Sequence, residues 1–332
     1  MLKGDTILEI YMNLGGNLEI TRRADDTIVM QARSDTGSGV MTLAELLPGI
    51  QIIYNDFHMK EIKSEYVRKT DLFCVDHCRE GRLEQETAPG IFRYIEAGDL
   101  KIDIRNNHNT DFYFPLSHYH GITVGFEPQA ADQSIRKIFP DFPVAVNALK
   151  QKYCTREDCF FIREKAQINH IFSELYHVPQ NIRRHYAIIK VLELLLYLGG
   201  LETENGKTRK PYFYKSQTEK IKAIQTLITT NLKKSYTLEE LSKRFDIPST
   251  SMKNCFKAVY GKPVYSYLRS YRMNQAATLL ASRKLSIAEV AGEVGYDNPS
   301  KFSAAFRAEM HSSPLEYRNA LTAALVCKKQ SE

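Results

Sequence analysis

No apolar run in this 332-residue chain approaches the roughly eighteen residues of a membrane span; the longest, Val191 to Leu198, is broken by Glu193. The first residues, MLKGDTILEI, lack the basic-then-apolar pattern of a secretion signal. These absences point to a soluble, cytoplasmic protein with no membrane partner. Cysteine is also scarce. Cys74, Cys78, Cys154, Cys159, Cys255 and Cys327 show no CxxC spacing, which excludes a disulfide scaffold and leaves reduced thiols as the expectation. Nowhere is there a nucleophile–base–acid arrangement, a glycine-rich phosphate loop or a paired-carboxylate spacing, so no catalytic residue, no cofactor and no enzyme activity is expected.

What is present is an ordinary globular composition, with 43% hydrophobic and 25% charged residues, and enough length for two domains. The charge is segregated. From Gln217 onward there are 18 Lys and Arg against 10 Asp and Glu, whereas residues 1–216 carry 27 against 29, so the net +6 sits entirely in the C-terminal part. A positive domain suits a densely anionic partner, of which a phosphate backbone is the commonest.

Residues 50–126 alternate apolar and polar positions between turn signals, in IQIIYNDF, YVRKTDLFCVDHC, a turn at Glu80-Gly81, IFRYIEAGDLKIDI and YHGITVGFE. That period predicts short antiparallel strands of a sandwich or barrel. From Asp132 to Leu201 the period becomes helical, and NIRRHYAIIKVLELLLYLGGL is bounded by Val178-Pro179-Gln180 and Gly199-Gly200. Residues 202–216 have the composition of a linker. Beyond it every segment reads as helix, with breaks at Ser235, Pro248, Gly261-Lys262-Pro263, Leu285, Asp297-Asn298-Pro299 and Ser312-Ser313-Pro314. The expected fold class is therefore α+β. Residues 1–130 form an antiparallel β-sandwich or barrel, 131–201 a helical segment, 202–216 a linker and 217–332 an all-α domain.

Two stretches of that last domain share one design. In residues 237–261, Leu238, Leu241 and Phe245 form an apolar helical face, Ile247-Pro248 breaks the chain, and Met252 and Phe256 anchor a second helix. In residues 286–310, Ile287, Val290, Ala291 and Val294 form the first face, and Phe302 and Phe306 anchor the second helix. Both are helix-turn-helix units, with Ala288, Ala291 and Gly295 small enough for a close crossing. Ser249 and Asn298 are candidate caps of the projected helices, with Pro299 at a first helical position. Residues 263–284 read as one helix of roughly 30 Å, close to the roughly 34 Å of a DNA turn.

These residues resemble the AraC/XylS family of bacterial transcription regulators across 217–325, most specifically in Ala291, Gly295-Tyr296, Phe302-Ser303, Phe306-Arg307, Pro314 and Tyr317-Arg318. His311 departs from the pattern, which has glycine there. The resemblance implies base contacts from Thr250, Lys253 and Asn254 on the first projected helix and from Ser300, Lys301 and Ala304 on the second. It implies phosphate contacts from Ser249, Lys257, Asn298 and Arg307, with Lys262, Arg269 and Lys328 as further surface cations. Double-stranded promoter DNA and RNA polymerase are the implied partners, and activation is the family's commoner mode.

For the N-terminal part the resemblance implies a cupin-like barrel that binds an effector or controls dimerisation, with IEAGDLKI supplying a Gly-Asp turn. His118, Tyr119 and His120 are candidate effector contacts. The two imidazoles, with His58, His77, His108 or Glu127, are also a conceivable metal cluster, but no acidic ligand has metal-cupin spacing and no metal is assigned. Phe112, Tyr113, Phe114, Tyr119 and Phe126 either line a ligand pocket or fill the barrel. Ile182, Ile189, Leu192 and Leu196 form a stripe, widened by Ile188 and Leu195, that pairs with a second subunit or packs on its own barrel. Three functions stand at this point: an effector-responsive regulator, a regulator using the barrel only for protein contacts, and a metal-dependent cupin enzyme fused to a DNA-binding domain.

Overall fold

Two-residue turns between apolar-polar repeats fold the chain into antiparallel neighbours before any long-range pairing is needed. In the computed structural model, which describes residues 18–24, 27–66, 71–105, 108–154, 159–179, 181–202, 211–282 and 284–320, β1 (Leu18–Ala24), β2 (Thr27–Ser34), β3 (Gly37–Leu47) and β4 (Ile50–His58) pair in sequence order. Three of these strands precede the first strand expected from the sequence. Cys327, Lys328 and residues 203–210 lie outside the described set, as does the side chain of His108. The chain divides into a unit ending at Tyr214 and a unit beginning at Lys215.

The first unit continues with β5 (Glu61–Tyr66), β6 (Leu72–Ala88), β7 (Ile91–Glu96), β8 (Leu100–Arg105), β9 (His108–Tyr113) and β10 (Tyr119–Phe126). The Glu80-Gly81 turn expected from the sequence is not a turn. β6 runs straight through it for 17 residues and bends there. Gly81 has φ of 86°, and a Cβ at this position would meet the His118 carbonyl oxygen at 2.2 Å. Its glycine signal was real, but it marks a sheet corner instead of a reversal. Before the bend β6 lies between β10 and β8; after it, between β7 and β9. Two sheets thus share one strand and enclose a barrel-like interior.

Helices cover the outer face: α1 (Pro128–Ile138), α2 (Val146–Tyr153), α3 (Ala166–Tyr176) and α4 (Arg183–Gly200). The helical run is interrupted by β11 (Phe160–Ile162), which pairs with β8, and Phe213–Tyr214 form β12 against β7. Outward-facing Ile52, Phe73, Val75, Ile122, Val124 and Phe126 pack with Ile168, Phe172, Leu175, Val191 and Leu195 in one core. Leu192 belongs to that core as well, and this corrects its assignment to a subunit interface. Full burial of a leucine is worth about 1.5–3 kcal/mol, so α4 is rotated by its own barrel. Ile182, Ile189 and Leu196 remain exposed, seven residues apart along one line.

His77, on the outer face of β6, stacks on Phe172 at 4.3 Å between ring centroids, its Nε2 lies 3.4 Å from Asn169 Oδ1, and its Nδ1 is buried without a partner. Burial lowers its pKa to about 4, outweighing the opposing Asn169 hydrogen bond and the Glu164 charge. Because the folded state resists protonation, the unfolded chain takes up the proton first as pH falls. Stability from a neutral His77 is present above about pH 6.5 and is lost progressively down to about pH 4, by about 3 kcal/mol in all. Chemical unfolding of the first unit across this window should show that slope, and His77→Leu should flatten it; an unchanged slope would mean the ring is solvated.

The second unit contains α5 (Lys215–Thr230), α6 (Leu238–Arg244), α7 (Ser249–Tyr260), α8 (Val264–Ser282), α9 (Ile287–Glu293) and α10 (Pro299–Met310), with residues 314–320 also helical. Each break falls where the sequence placed it. α8 carries two cores. Its Val264 and Leu268 are buried at the end shared with α5–α7, and Met273, Ala276 and Leu280 pack with Val290, Ala291, Val294, Phe302 and Phe306.

Both projected helices end on a left-handed residue, Gly261 at φ 79° after α7 and His311 at φ 58° after α10. A side chain in that region is strained where glycine is not. His311→Gly is therefore expected to stabilise the second unit by about 1 kcal/mol, read as a rise in its thermal midpoint; a fall would show that the imidazole itself holds the turn.

Candidate nucleic-acid interface and barrel cavity

Short supporting helices need their first amides satisfied if they are to hold a second helix at a fixed angle. Thr237 accepts from the Glu240 amide at 3.1 Å while the Glu240 carboxylate accepts from the Thr237 amide at 2.8 Å. Ser286 and Glu289 repeat this reciprocal pair before α9 at 3.2 and 2.7 Å. The sequence pattern, Ser or Thr followed three residues later by Glu, marks both and went unread. After each supporting helix the chain turns through a left-handed residue, Asp246 at φ 46° and Gly295 at φ 82°. A Cβ on Gly295 would meet the Leu232 carbonyl oxygen at 2.0 Å. Ala291 is fully buried at the crossing, as expected, but Ala288 is exposed and takes no part in it.

The two units are not in perfect register. Thr237 and Ser286, the caps of the supporting helices, lie 49 residues apart, whereas Pro248 and Asn298, which precede the projected helices, lie 50 apart. The second turn thus holds one more residue. Ser249 does not take the capping role given to it: Pro248 is at the cap position, α7 has no side-chain cap and Ser249 is its first helical residue. Asn298 does cap α10, its Oδ1 accepting from the amides of Ser300 at 2.9 Å and Lys301 at 3.1 Å. The first amides of α7 are left without a capping side chain, whereas those of α10 are occupied.

On α7, Met252, Cys255, Phe256 and Val259 are buried, which leaves Thr250, Lys253, Asn254 and Lys257 exposed at spacings of three and four along the opposite face. On α10, Phe302 and Phe306 are buried and Ser300, Lys301, Ala304 and Arg307 are exposed. Among the described residues Lys253, Lys257 and Lys301 have no anionic partner, and Arg307 has only Glu316 at 3.8 Å. Unpaired cations around polar side chains on a helix of groove-fitting width are suited to contact phosphate and base edges together. The surface cation Lys262, by contrast, is engaged by Ser270 and Glu309.

The first unit has a cavity of about 130 Å³ inside the barrel. Its apolar wall includes Ile53, Phe57, Ile62, Leu83, Phe112 and Phe114, and its polar side includes Asn55, Asp76, Lys101, Arg105 and Thr123. Tyr119 lines it, but the neighbouring His118 and His120 do not, so only one of the three proposed effector contacts reaches the cavity. Lys63 lines it too, and four of the polar side chains, Asp76, Lys101, Arg105 and Thr123, join Asp103 in a charge network. Lys101 Nζ lies 3.2 Å from Asp76 and 2.8 Å from Asp103; Arg105 pairs with both aspartates, and the Thr123 hydroxyl donates to Asp76 at 2.6 Å. Burial opposes charge on Asp76, yet Arg105, Lys101 and the Thr123 hydrogen bond outweigh it and hold the pKa down to about 2. Burial opposes charge on Lys101 as well, and Asp103 and Asp76 reverse that and raise its pKa. These four residues were not singled out from the sequence; the only signal was a set of charges inside strands whose neighbours are apolar.

Residues 241–320 match the family model described as a helix-turn-helix domain. The chain is 24% identical to the Msm operon regulatory protein of Streptococcus mutans over 231 residues, covering 68% of this chain and 76% of that one. It is 27% identical to the HTH-type transcriptional activator RhaS of Mannheimia succiniciproducens over 247 residues, covering 69% and 78%. The lactose operon transcription activator of Staphylococcus xylosus is 32% identical over 101 residues, 30% of this chain and 36% of that relative. Two of these matches run through most of both proteins, and the third spans about a third of the relative. Among the described residues no helix is long and apolar enough to cross a membrane.

Proposed function

We propose, for a chain whose C-terminal unit belongs to the AraC/XylS family of helix-turn-helix transcription regulators, that it activates promoters by placing α7 and α10 in successive major-groove segments. The observation that carries this reading is the pair of exposed faces, Thr250–Lys253–Asn254–Lys257 and Ser300–Lys301–Ala304–Arg307, each on a helix anchored from behind by buried aromatics or methionine. α7 reads bases and also offers open amides to a phosphate; α10, with Ala304 at its centre and its amides capped, contributes mainly backbone contact and register. Activation follows the named roles of the relatives, and RNA polymerase is the partner that activation requires. The protein acts in the cytoplasm and is not an enzyme.

The barrel cavity is the effector site in this reading. Its volume is similar to the roughly 150 Å³ of a cavity that takes benzene, so the effector is one small ring or an equivalent chain. Asn55 and Thr123 on one side of the cavity and Phe57 and Phe114 on the other favour a molecule with one polar and one apolar edge. Ile182, Ile189 and Leu196 form the homodimer stripe on α4, without Leu192. Ile189→Asp with Leu196→Asp should give monomers in sedimentation with an unchanged melting temperature, and a dimer that persists would place the interface elsewhere.

Footprinting of the purified chain on DNA upstream of its own reading frame tests the function. Two protected segments about one helical turn apart are expected; absence of any salt-resistant protection rules the reading out. Small compounds with one polar and one apolar edge should raise the melting temperature, and Thr123→Val should remove that response while leaving the footprint in place.

A further inference from the structure

On the outer face of the barrel, opposite the cavity, strands β4 and β10 bring together three donors of a kind that metal ions bind. Asp56 and His58 are two apart on β4 and therefore share a face, and His120 on β10 is the direct antiparallel partner of Asp56. Asp56 Oδ1 lies 2.9 Å from His58 Nε2 and 3.2 Å from His120 Nε2. The two rings stand almost perpendicular, 5.1 Å apart, and all three donor atoms fall within 4.8 Å of one another.

We propose that Asp56, His58 and His120 form a binding site for a divalent transition metal of the zinc class. Bond lengths of about 2.0–2.1 Å to nitrogen and oxygen put tetrahedral zinc ligands about 3.3 Å apart. Both carboxylate–imidazole separations are close to that edge length, so the ion needs only small side-chain adjustments. Two imidazoles and one carboxylate with the fourth position open to water is an established donor set for Zn²⁺. His118 flanks the site, its ring 6.2 Å from that of His120. Its Nδ1 donates to the Leu116 carbonyl oxygen at 3.0 Å, which leaves the Nε2 lone pair as a candidate fourth donor.

The site was not legible as a set in the sequence. Two of its histidines were noted, but the acidic ligand lies 64 residues before His120 and two before His58, a spacing that only the β4–β10 register explains. Phe57, between Asp56 and His58, faces the opposite way and lines the cavity, as does Tyr119, between His118 and His120. A bound ion would therefore clip together the two strands whose inner residues form one cavity wall. The competing account is that Asp56 simply accepts hydrogen bonds from the two imidazoles, with no ion involved.

The two accounts separate by titrating the metal-stripped full-length chain with Zn²⁺ against a chromophoric chelator and with Co²⁺ by visible absorption. One equivalent per chain with a tetrahedral nitrogen–oxygen Co²⁺ spectrum is expected. His58→Ala, His120→Ala and Asp56→Asn should each weaken uptake by about tenfold or more, whereas His170→Ala, at an exposed position of α3, should leave it unchanged. Melting in chelator should be the same for the Asp56 and His58 variants, whose side chains are exposed, and the half-buried His120 is checked by comparing its melting with and without Zn²⁺. No stoichiometric uptake, uptake that survives all three substitutions, or a thiolate charge-transfer band from cysteine ligation would each overturn the proposal.

Discussion

Asp76→Ala is expected to destabilise the barrel unit by about 3–5 kcal/mol, the range seen when one member of a buried ion pair is removed. Asp76 is 3% exposed and Lys101 2%, so neither charge can be solvated where it stands. With Asp76 present the two aspartates balance Lys101 and Arg105; without it Asp103 alone faces the buried Lys101 and the half-buried Arg105, and the Thr123 hydroxyl loses its acceptor. The strength of the effect comes from the charge left behind, not from the attraction lost. Asp76→Asn with Lys101→Met, which leaves Arg105 and Asp103 as a neutral pair, should therefore recover most of the stability. Urea unfolding monitored on the full chain measures both. A loss below about 1 kcal/mol in the single variant would show water already solvating the network. The same linkage sets an acid limit: stability from ionised Asp76 is complete above about pH 4 and is lost as pH falls toward its folded value near 2.

The second large effect concerns α7 and α10, the helices proposed to face DNA. Asn254→Ala and Lys253→Ala are each expected to weaken binding to the cognate site by about 1–3 kcal/mol, or about five- to 150-fold, and to relax preference at one base position each. Both side chains are exposed on α7 and neither is held by an ion pair among the described residues. Lys257→Ala should behave differently, weakening all sequences alike and reducing the slope of log affinity against log salt by about one. Ala304→Ser on α10 should have little effect. Electrophoretic or anisotropy titrations on a site library at two salt concentrations distinguish these outcomes. Equal loss on every sequence for Lys253→Ala and Asn254→Ala would reduce α7 to a backbone-binding element.

The helical unit was readable almost residue by residue because its signals are local. Phe302 and Phe306 define a buried face through a period shorter than one turn and a half, and through their own backbone chemistry Pro248 and Pro314 stand at helix starts and Gly261 at a helix end. Two local expectations fail, Ser249 as a cap and Ala288 at the crossing: Pro248 occupies the cap position of α7, and Ala288 is exposed. In the barrel the same reasoning found several strands and misjudged their connections. Gly81 announced an unusual backbone angle, but whether the chain reverses or bends depends on which strands stand ready to pair beyond it.

The sequence by itself determined the helix-turn-helix pair, the exposed polar faces of its second helices, the segregated positive charge and an apolar stripe through Ile182, Ile189, Leu192 and Leu196. All of these follow from side chains within four to seven residues of one another on a helix, or from simple counting. Only the tertiary structure decided that Leu192 faces inward, that Asp76, Asp103, Lys101 and Arg105 neutralise one another beneath a small cavity, that Tyr119 faces it while His120 does not, and that Asp56 meets His120. Strand partners are selected by burial and register across tens of residues, and a shift of one residue would send every one of those side chains to the other face.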